Sequence, residues 1–185
     1  MVKKALVFLA DGFEEVEAIT PIDYLRRAGI TVTTAAIGPG ELVQGSHKVG
    51  ITADTTLEKL SPKAAGWDAV VLPGGGEGSE NLAASEGVGS FVKAMAAAGK
   101  LVCAICAAPA VVLAPLGLLK GRRFTCYPGM EDRVSGAEWS ADRVVSDGNI
   151  LTSRGAGTAG EFAAAIIGKL VSEAEAEKVA KSVLL

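Results

Sequence analysis

A cysteine stands where an apolar run changes, without a loop, into an alanine-rich segment. Cys106 follows the strand-like run Leu101–Ile105 and precedes the helix-like run Ala107–Leu116. A thiol at a helix N-terminus faces unpaired N–H groups and the positive end of the helix dipole, which lower its pKa and favour the nucleophilic thiolate. The small residues Ala104 and Ala108 flank it with the spacing of a nucleophile elbow. We therefore predict a reactive Cys106, and the alternative is a small buried core residue.

Two other junctions would supply the groups that such a nucleophile needs. Gly74 and Gly75 follow an apolar run, and glycines there let the N–H of Gly75, together with that of Ala107, form an oxyanion hole. A plain tight turn is the alternative. Glu17 shares a helix face with apolar residues, so its desolvated carboxyl is expected to stay protonated and to donate a hydrogen bond to a thiolate. His47, the chain's one histidine, is the weaker candidate for a base.

Alternating strand and helix patterns predict the scaffold that positions these residues. Strands are predicted at Ala5–Leu9, Thr31–Ala36, Ala69–Leu72, Leu101–Ile105, Val144–Ser146 and Ile150–Ser153, and helices at Glu14–Ala28, Gly87–Ala98, Ala107–Leu116, Thr158–Ser172 and Glu173–Leu185. Asp147-Gly148 indicates a hairpin turn between the last two strands. The pattern predicts an α/β fold, a mainly parallel sheet with helices on both faces, in which ligands bind beyond the carboxyl ends of the strands.

Length and composition narrow the class of protein. The 185 residues fit one domain spanning residues 1–185, and the net charge of −3 without a basic run argues against nucleic acid as a partner. Three cysteines and one histidine indicate neither a disulfide framework nor a metal site. The longest apolar stretch, Leu101–Leu119, contains two prolines and is patterned as strand, turn and helix, so no membrane span is predicted. We expect a soluble, cytoplasmic protein.

Four segments together resemble a known family. They are Glu14-Glu15-Val16-Glu17, Leu72-Pro73-Gly74-Gly75, Ala104-Ile105-Cys106-Ala107 and Leu151-Thr-Ser-Arg-Gly-Ala-Gly-Thr158. In this order they closely resemble the ThiJ/PfpI superfamily, and within it the DJ-1 branch named after the Parkinson-disease protein. The likeness runs nearly end to end. It implies a flavodoxin-like three-layer sandwich that forms homodimers and needs no cofactor.

The resemblance also implies roles for single residues. Cys106 would be the nucleophile, Glu17 the protonated glutamate beside it, and Gly75 and Ala107 the oxyanion donors. Arg154 would lie near the dimer interface and Asp23 would reach the site of the partner.

The chain departs from that branch at two positions. Tyr127 stands where the branch has a histidine near the cysteine, and His47 stands where it has an arginine lining the site. A tyrosine hydroxyl, with a pKa near 10, positions a substrate but is a poor base at neutral pH. Tyr127, Gly74 and His47 are therefore expected to position substrate, and Glu17 is left as the main proton shuttle.

The resemblance implies an enzyme that acts on small α-oxoaldehydes such as methylglyoxal. It would convert them to hydroxy acids without glutathione, and deglycase activity on early glycation adducts would accompany this. A second hypothesis is an oxidative-stress sensor or redox-regulated chaperone that works through oxidation of Cys106. A cysteine peptidase or amidase fits less well, because Tyr127 supplies a poor base.

Overall fold

A seven-stranded sheet forms the centre of the molecule. The computed structural model describes residues 2–60 and 66–185. The strands are β1 (Lys4–Leu9), β2 (Thr31–Ala36), β3 (Leu42–Gln44), β4 (Gly50–Thr52), β5 (Thr55–Thr56), β6 (Ala69–Leu72), β7 (Leu101–Ile105), β8 (Arg123–Phe124), β9 (Glu138–Trp139), β10 (Val144–Asp147) and β11 (Ile150–Ser153). The central sheet has the order β10-β11-β7-β6-β1-β2-β5, and its pairs are parallel except β10 with β11. The mainly parallel α/β sheet is as predicted.

Helices cover both faces of this sheet. They are α1 (Glu15–Arg27), α2 (Gly76–Ala84), α3 (Glu86–Ala97), α4 (Ala159–Leu170) and α5 (Glu173–Ser182). Residues alternate along β1, so that Val7 and Leu9 pack with α1, α4 and α5 while Leu6 and Phe8 pack with α2 and α3. These two apolar cores make a three-layer sandwich, the flavodoxin-like arrangement that the resemblance implies.

Strand register brings the functional junctions to one edge of the sheet. Leu72 of β6 lies opposite Ala104 of β7, and Ile105 of β7 lies opposite Ser153 of β11. The residues that follow these three parallel strands therefore emerge side by side at their carboxyl ends. Asp147 and Ile150 close the predicted hairpin between β10 and β11.

One predicted helix differs from the structure, and one observed helix was not predicted. The segment after Cys106 is a single wide turn, Pro109–Leu113, in which Ala114 N–H donates to the carbonyl of Pro109, five residues back. Proline has no N–H to donate, so Pro109 and Pro115 interrupt the ordinary helical ladder. Helix α2 was not predicted, because its Gly-Glu-Gly-Ser start has low helix propensity. It forms because Gly78 lies against the backbone of Phe13, where a Cβ would come within 2.6 Å.

No helix within residues 2–60 and 66–185 is long and apolar enough to cross a lipid bilayer.

Candidate active site

Cys106 sits on a strained turn at the end of β7. Its φ of 65° lies in the left-handed region, which a residue with a side chain rarely adopts. Two backbone hydrogen bonds hold this conformation: Cys106 N–H donates to Ser153 O at 2.9 Å, and Cys106 O accepts from Tyr127 N–H at 2.8 Å. The side chain is partly exposed, whereas Cys103 and Cys126 are buried. The structure thus has the elbow geometry expected from the sequence.

Glu17 projects from the first turn of α1 into the same site. Glu14 caps that helix, because its side chain accepts from the N–H of Glu17 at 2.8 Å. The Glu17 side chain is buried, with 1% of the residue exposed, as the sequence predicted. Its Oε2 accepts from Gly74 N–H at 2.9 Å, and its carboxyl also interacts with the N–H of Ala156 and the thiol of Cys106. Carboxyl and thiol are therefore direct partners.

Two glycines allow the carboxyl and the thiol to lie this close to the loop after β6. A Cβ on Gly74 would lie 2.5 Å from the Cβ of Cys106 and would also overlap the carboxylate of Glu17. Gly75 has a φ of 89°, and a Cβ there would lie 2.8 Å from the N–H nitrogen of Glu14. The N–H groups of Gly75 and Ala107 lie near the sulfur of Cys106, where both act to lower the pKa of its thiol. Their role as oxyanion donors stays a prediction.

The acid–base properties of the pair follow from burial and mutual charge. Burial raises the pKa of Glu17 to about 7, and the hydrogen bonds from Cys106, Gly74 and Ala156 oppose this rise without cancelling it. Burial also raises the pKa of the Cys106 thiol to about 12, and the negative charge of Glu17 adds to the effect. The prediction of a lowered thiol pKa is wrong, because local sequence shows the helix start but neither the burial of the thiol nor the neighbouring carboxylate. Protonation of Glu17 removes that repulsion and supplies a hydrogen-bond donor.

The raised pKa of Glu17 has a consequence for stability. Below pH 4.5 the carboxyl is protonated in both the folded and the unfolded chain; between pH 4.5 and about 7 the unfolded chain ionises first, so folding loses stability. The loss reaches about 3 kcal/mol above pH 7. We expect Glu17→Gln, which mimics the protonated form, to leave the free energy of unfolding unchanged near pH 4 and to raise it by about that amount at pH 8. Denaturant unfolding at the two pH values measures this; an equal effect at both would contradict it.

His47 is held by Glu15. His47 Nδ1 lies 2.8 Å from Glu15 Oε2, and its backbone N–H donates to Glu15 Oε1 at 2.6 Å. Burial opposes ionisation of Glu15, but hydrogen bonds from the His47 side chain and from the N–H groups of His47 and Val49 outweigh it and lower the pKa of Glu15 to about 2. The hydrogen bond to Glu15 in turn raises the pKa of His47. The imidazole of His47 is thus bound to the Glu15 carboxylate, and its expected contact with substrate stays a prediction.

Glu14, Glu15 and His47 also form the one group of possible metal ligands found within the described ranges. Their ligand atoms lie within 4.8 Å of one another. The oxygens of Glu15 already accept hydrogen bonds from Ser46, His47 and Val49, which accounts for the cluster without an ion.

The remaining predicted residues occupy the rim of the site or lie outside it. Tyr127 is 53% exposed. Its ring and the carboxyl of Glu17 lie on either side of Gly155, because a Cβ on that glycine would be 3.6 Å from the ring and 3.8 Å from Glu17 Oε1. Asp23 is half-exposed on α1 and pairs with Arg27 at 2.8 Å. Arg154 is partly buried, and its Nη1 donates to Ala141 O at 3.3 Å.

Three residues from the end of β11 and the segment that follows it take part in the site, although no role was predicted for them from the sequence. Ser153 supplies the carbonyl that holds Cys106, Ala156 supplies an N–H to Glu17, and Thr158 hydrogen-bonds to Ser153. The stretch Leu151–Thr158 is one of the four segments that carry the family resemblance. Nothing in its local pattern shows which of its polar groups face the cysteine.

Comparisons of the sequence with known proteins found relatives over most or all of the chain. A sequence model described as the DJ-1/PfpI family matches residues 3–169. Protein dj-1beta of Drosophila melanogaster is 44% identical over 187 residues, covering 100% of this chain and 98% of the relative. A Pyrococcus horikoshii protein named a deglycase is 37% identical over 153 residues, covering 82% of this chain and 89% of the relative.

Solved structures share the whole fold. The crystal structure of Drosophila melanogaster DJ-1beta superposes with a TM-score of 0.95 at 44% identity, covering 100% of this chain and 99% of the other. A Toxoplasma gondii protein described as DJ-1, oxidized, superposes with a TM-score of 0.95 at 37% identity, covering 99% and 98% of the two chains.

Proposed function

This chain belongs to the DJ-1/PfpI family, and from that membership and the geometry of its site we propose that it is a cysteine enzyme acting on α-oxoaldehydes such as methylglyoxal. The activity would be that of a glutathione-independent glyoxalase, with a hydroxy acid as product. The relative named a deglycase supports enzymatic activity of the DJ-1 type, and deglycase activity on early glycation adducts is the closely related alternative.

The observation that carries the proposal is the contact between a buried carboxyl and a partly exposed thiol. Glu17 is nearly inaccessible, has a pKa of about 7 because of its burial, and is a direct partner of Cys106. A carboxyl with a pKa near neutrality both accepts and returns a proton, which is the requirement for general acid–base catalysis at physiological pH. The site therefore contains a nucleophile and a proton shuttle in contact.

The residues can carry the reaction in four steps. The Cys106 proton passes to Glu17, and the sulfur adds to the aldehyde carbon, giving a hemithioacetal whose oxygen lies by the N–H groups of Gly75 and Ala107. Glu17 returns its proton to that oxygen. Its carboxylate then takes the C–H proton of the former aldehyde carbon and delivers it to the neighbouring carbon. The hemithioacetal hydroxyl gives its own proton to the oxygen on that neighbouring carbon, so the first carbon becomes a thioester carbonyl and the second becomes an alcohol. Water hydrolyses the thioester, releasing the hydroxy acid and the thiol.

This sequence needs no external oxidant or reductant. The aldehyde carbon is oxidised to a carboxylic acid while the adjacent ketone carbon is reduced to an alcohol, so methylglyoxal and water together contain every atom of lactic acid. Tyr127 and His47 would act on substrate position, because the tyrosine ring is exposed beside Gly155 and the imidazole is bound to Glu15.

The second candidate is an oxidative-stress sensor or redox-regulated chaperone. It is favoured by the unequal exposure of the thiols: Cys106 is partly exposed, whereas Cys103 and Cys126 are buried. A sulfenic acid on Cys106 would lack a resolving thiol and would be oxidised further. The relative described as oxidized is consistent with such chemistry in the family. Appreciable turnover at physiological aldehyde concentrations would favour the enzyme.

A homodimer is part of the proposal. Val16 and Ile19, on either side of Glu17 in the sequence, are 48% and 44% exposed on α1. We expect a second copy of the chain to cover this apolar pair on the outer surface of the helix that carries Glu17. Sedimentation equilibrium measures the mass of the assembly and so tests whether the dimer forms.

The test is product formation from methylglyoxal without glutathione, in heavy water and followed by proton NMR. We expect lactate to appear at a rate that saturates with substrate. Deuterium at carbon 2 would show that the migrating hydrogen exchanges on a protein group during its transfer. No lactate above the buffer rate would contradict the proposal, and a glycated peptide as the better substrate would favour the deglycase alternative.

A further inference from the structure

We propose that Thr158 is a positioning residue that holds the segment 153–158 in the shape required by both Cys106 and Glu17. The inference concerns the same site as the proposed function, but the hydrogen bonds that carry it are independent of the substrate. Thr158 lies at the end of the short 3₁₀ turn Ala156–Thr158 and is 5% exposed.

The hydroxyl of Thr158 is the centre of a buried hydrogen-bond network. Its Oγ1 accepts from Gly155 N–H at 3.1 Å and lies 2.7 Å from Ser153 Oγ and 2.8 Å from Gly155 O. Ser153 Oγ in turn donates to Arg143 O at 2.8 Å. With the Ser153 proton used in this way, the Thr158 proton goes to Ser153 Oγ or to Gly155 O. One hydroxyl therefore links both ends of the segment and ties it to the residue that precedes β10.

The segment held in this way contacts each member of the catalytic pair through its backbone. Ser153 O accepts from Cys106 N–H at 2.9 Å and so supports the left-handed conformation of the cysteine. Gly155 lies against the carboxyl of Glu17, since a Cβ there would be 3.8 Å from Glu17 Oε1, and the N–H of the next residue, Ala156, favours the ionised form of that carboxyl. The hydrogen bonds of the Thr158 hydroxyl go to Ser153 and Gly155 and to neither of these side chains, so its effect on both passes through the positions of the two backbone groups.

The charge environment of Glu17 makes its titration a sensitive report of this arrangement. The titratable groups that face it are the Cys106 thiol and the Glu14 carboxylate; the first lowers its pKa through a hydrogen bond and the second raises it through repulsion. The N–H groups of Gly74 and Ala156 both lower it. Displacement of Ala156 alone removes one stabilising donor from the anion, so the pKa of Glu17 should rise.

The experiment measures the pKa of Glu17 directly in the full-length chain. Side-chain carboxyl carbons are labelled with ¹³C at glutamate, and the Glu17 resonance is assigned by its loss in Glu17→Gln. Thr158→Val keeps the shape of the side chain but removes the hydroxyl; we expect the pKa of Glu17 to rise by roughly one unit. Thr158→Ser keeps the hydroxyl and should restore a value near that of the wild type.

The outcomes separate this inference from the proposed function. A Glu17 pKa in folded Thr158→Val equal to that of the wild type would overturn the positioning role, whatever the protein does with aldehydes. Absence of methylglyoxal turnover in the wild type would contradict the proposed function, but it would not change the expected effect of Thr158→Val on the pKa of Glu17. If Thr158→Val does not fold, Ser153→Ala removes the partner hydroxyl instead and should shift the pKa in the same direction; no shift there would also overturn the inference.

Discussion

Glu17→Gln is expected to lower kcat/KM for methylglyoxal by a factor of roughly 100 or more, the usual size of a general acid–base contribution. The amide keeps the volume of the carboxyl and can still accept from Gly74 N–H, which donates at 2.9 Å. It cannot take the proton of Cys106 or move a hydrogen between carbons. Steady-state kinetics near pH 7, where the carboxyl of the wild type titrates, measure the loss.

Glu17→Asp is the matched variant for this result. The aspartate retains a titratable carboxyl but is one methylene shorter, so this carboxyl lies further from the Cys106 thiol than that of Glu17 does. The turnover of Glu17→Asp should therefore lie between those of the wild type and Glu17→Gln. Near wild-type turnover in Glu17→Gln would mean that another group carries the proton. His47 would be the next candidate, although the structure binds it to Glu15.

The burial of Glu17 was predictable from sequence, whereas its partners were not. Helical spacing places Glu17 on the same face of α1 as Pro21, and Phe13, which precedes the helix, is predicted to lie on that side too. Both Pro21 and Phe13 are buried. The N–H of Ala156, however, comes from a segment about 140 residues further along the chain, and only the register of β7 with β11 brings it near. Local patterns specify a face but not which distant group lies opposite it.

The carboxyl-end location of the site was also predictable, because parallel strands place their C-terminal residues at one edge. The detailed geometry after Cys106 was not. Apolar periodicity indicates a helix to Leu116, but Pro109 and Pro115 leave only one wide turn, Pro109–Leu113. The helix dipole expected to act on the thiol therefore comes from a shorter element. Helix α2 was missed for the opposite reason: tertiary packing of Gly78 against Phe13 overrides its low propensity.

The most direct test of the account is the turnover of methylglyoxal by Cys106→Ala. Removing the sulfur removes the atom that forms the hemithioacetal, so kcat/KM should fall roughly 1,000-fold or more, to the rate in buffer. Cys103→Ala is the matched control, since it deletes a fully buried sulfur three residues away on β7 and should leave turnover near that of the wild type. A folded Cys106→Ala protein that still converts methylglyoxal to lactate at the wild-type rate would contradict the assignment of Cys106 as the nucleophile.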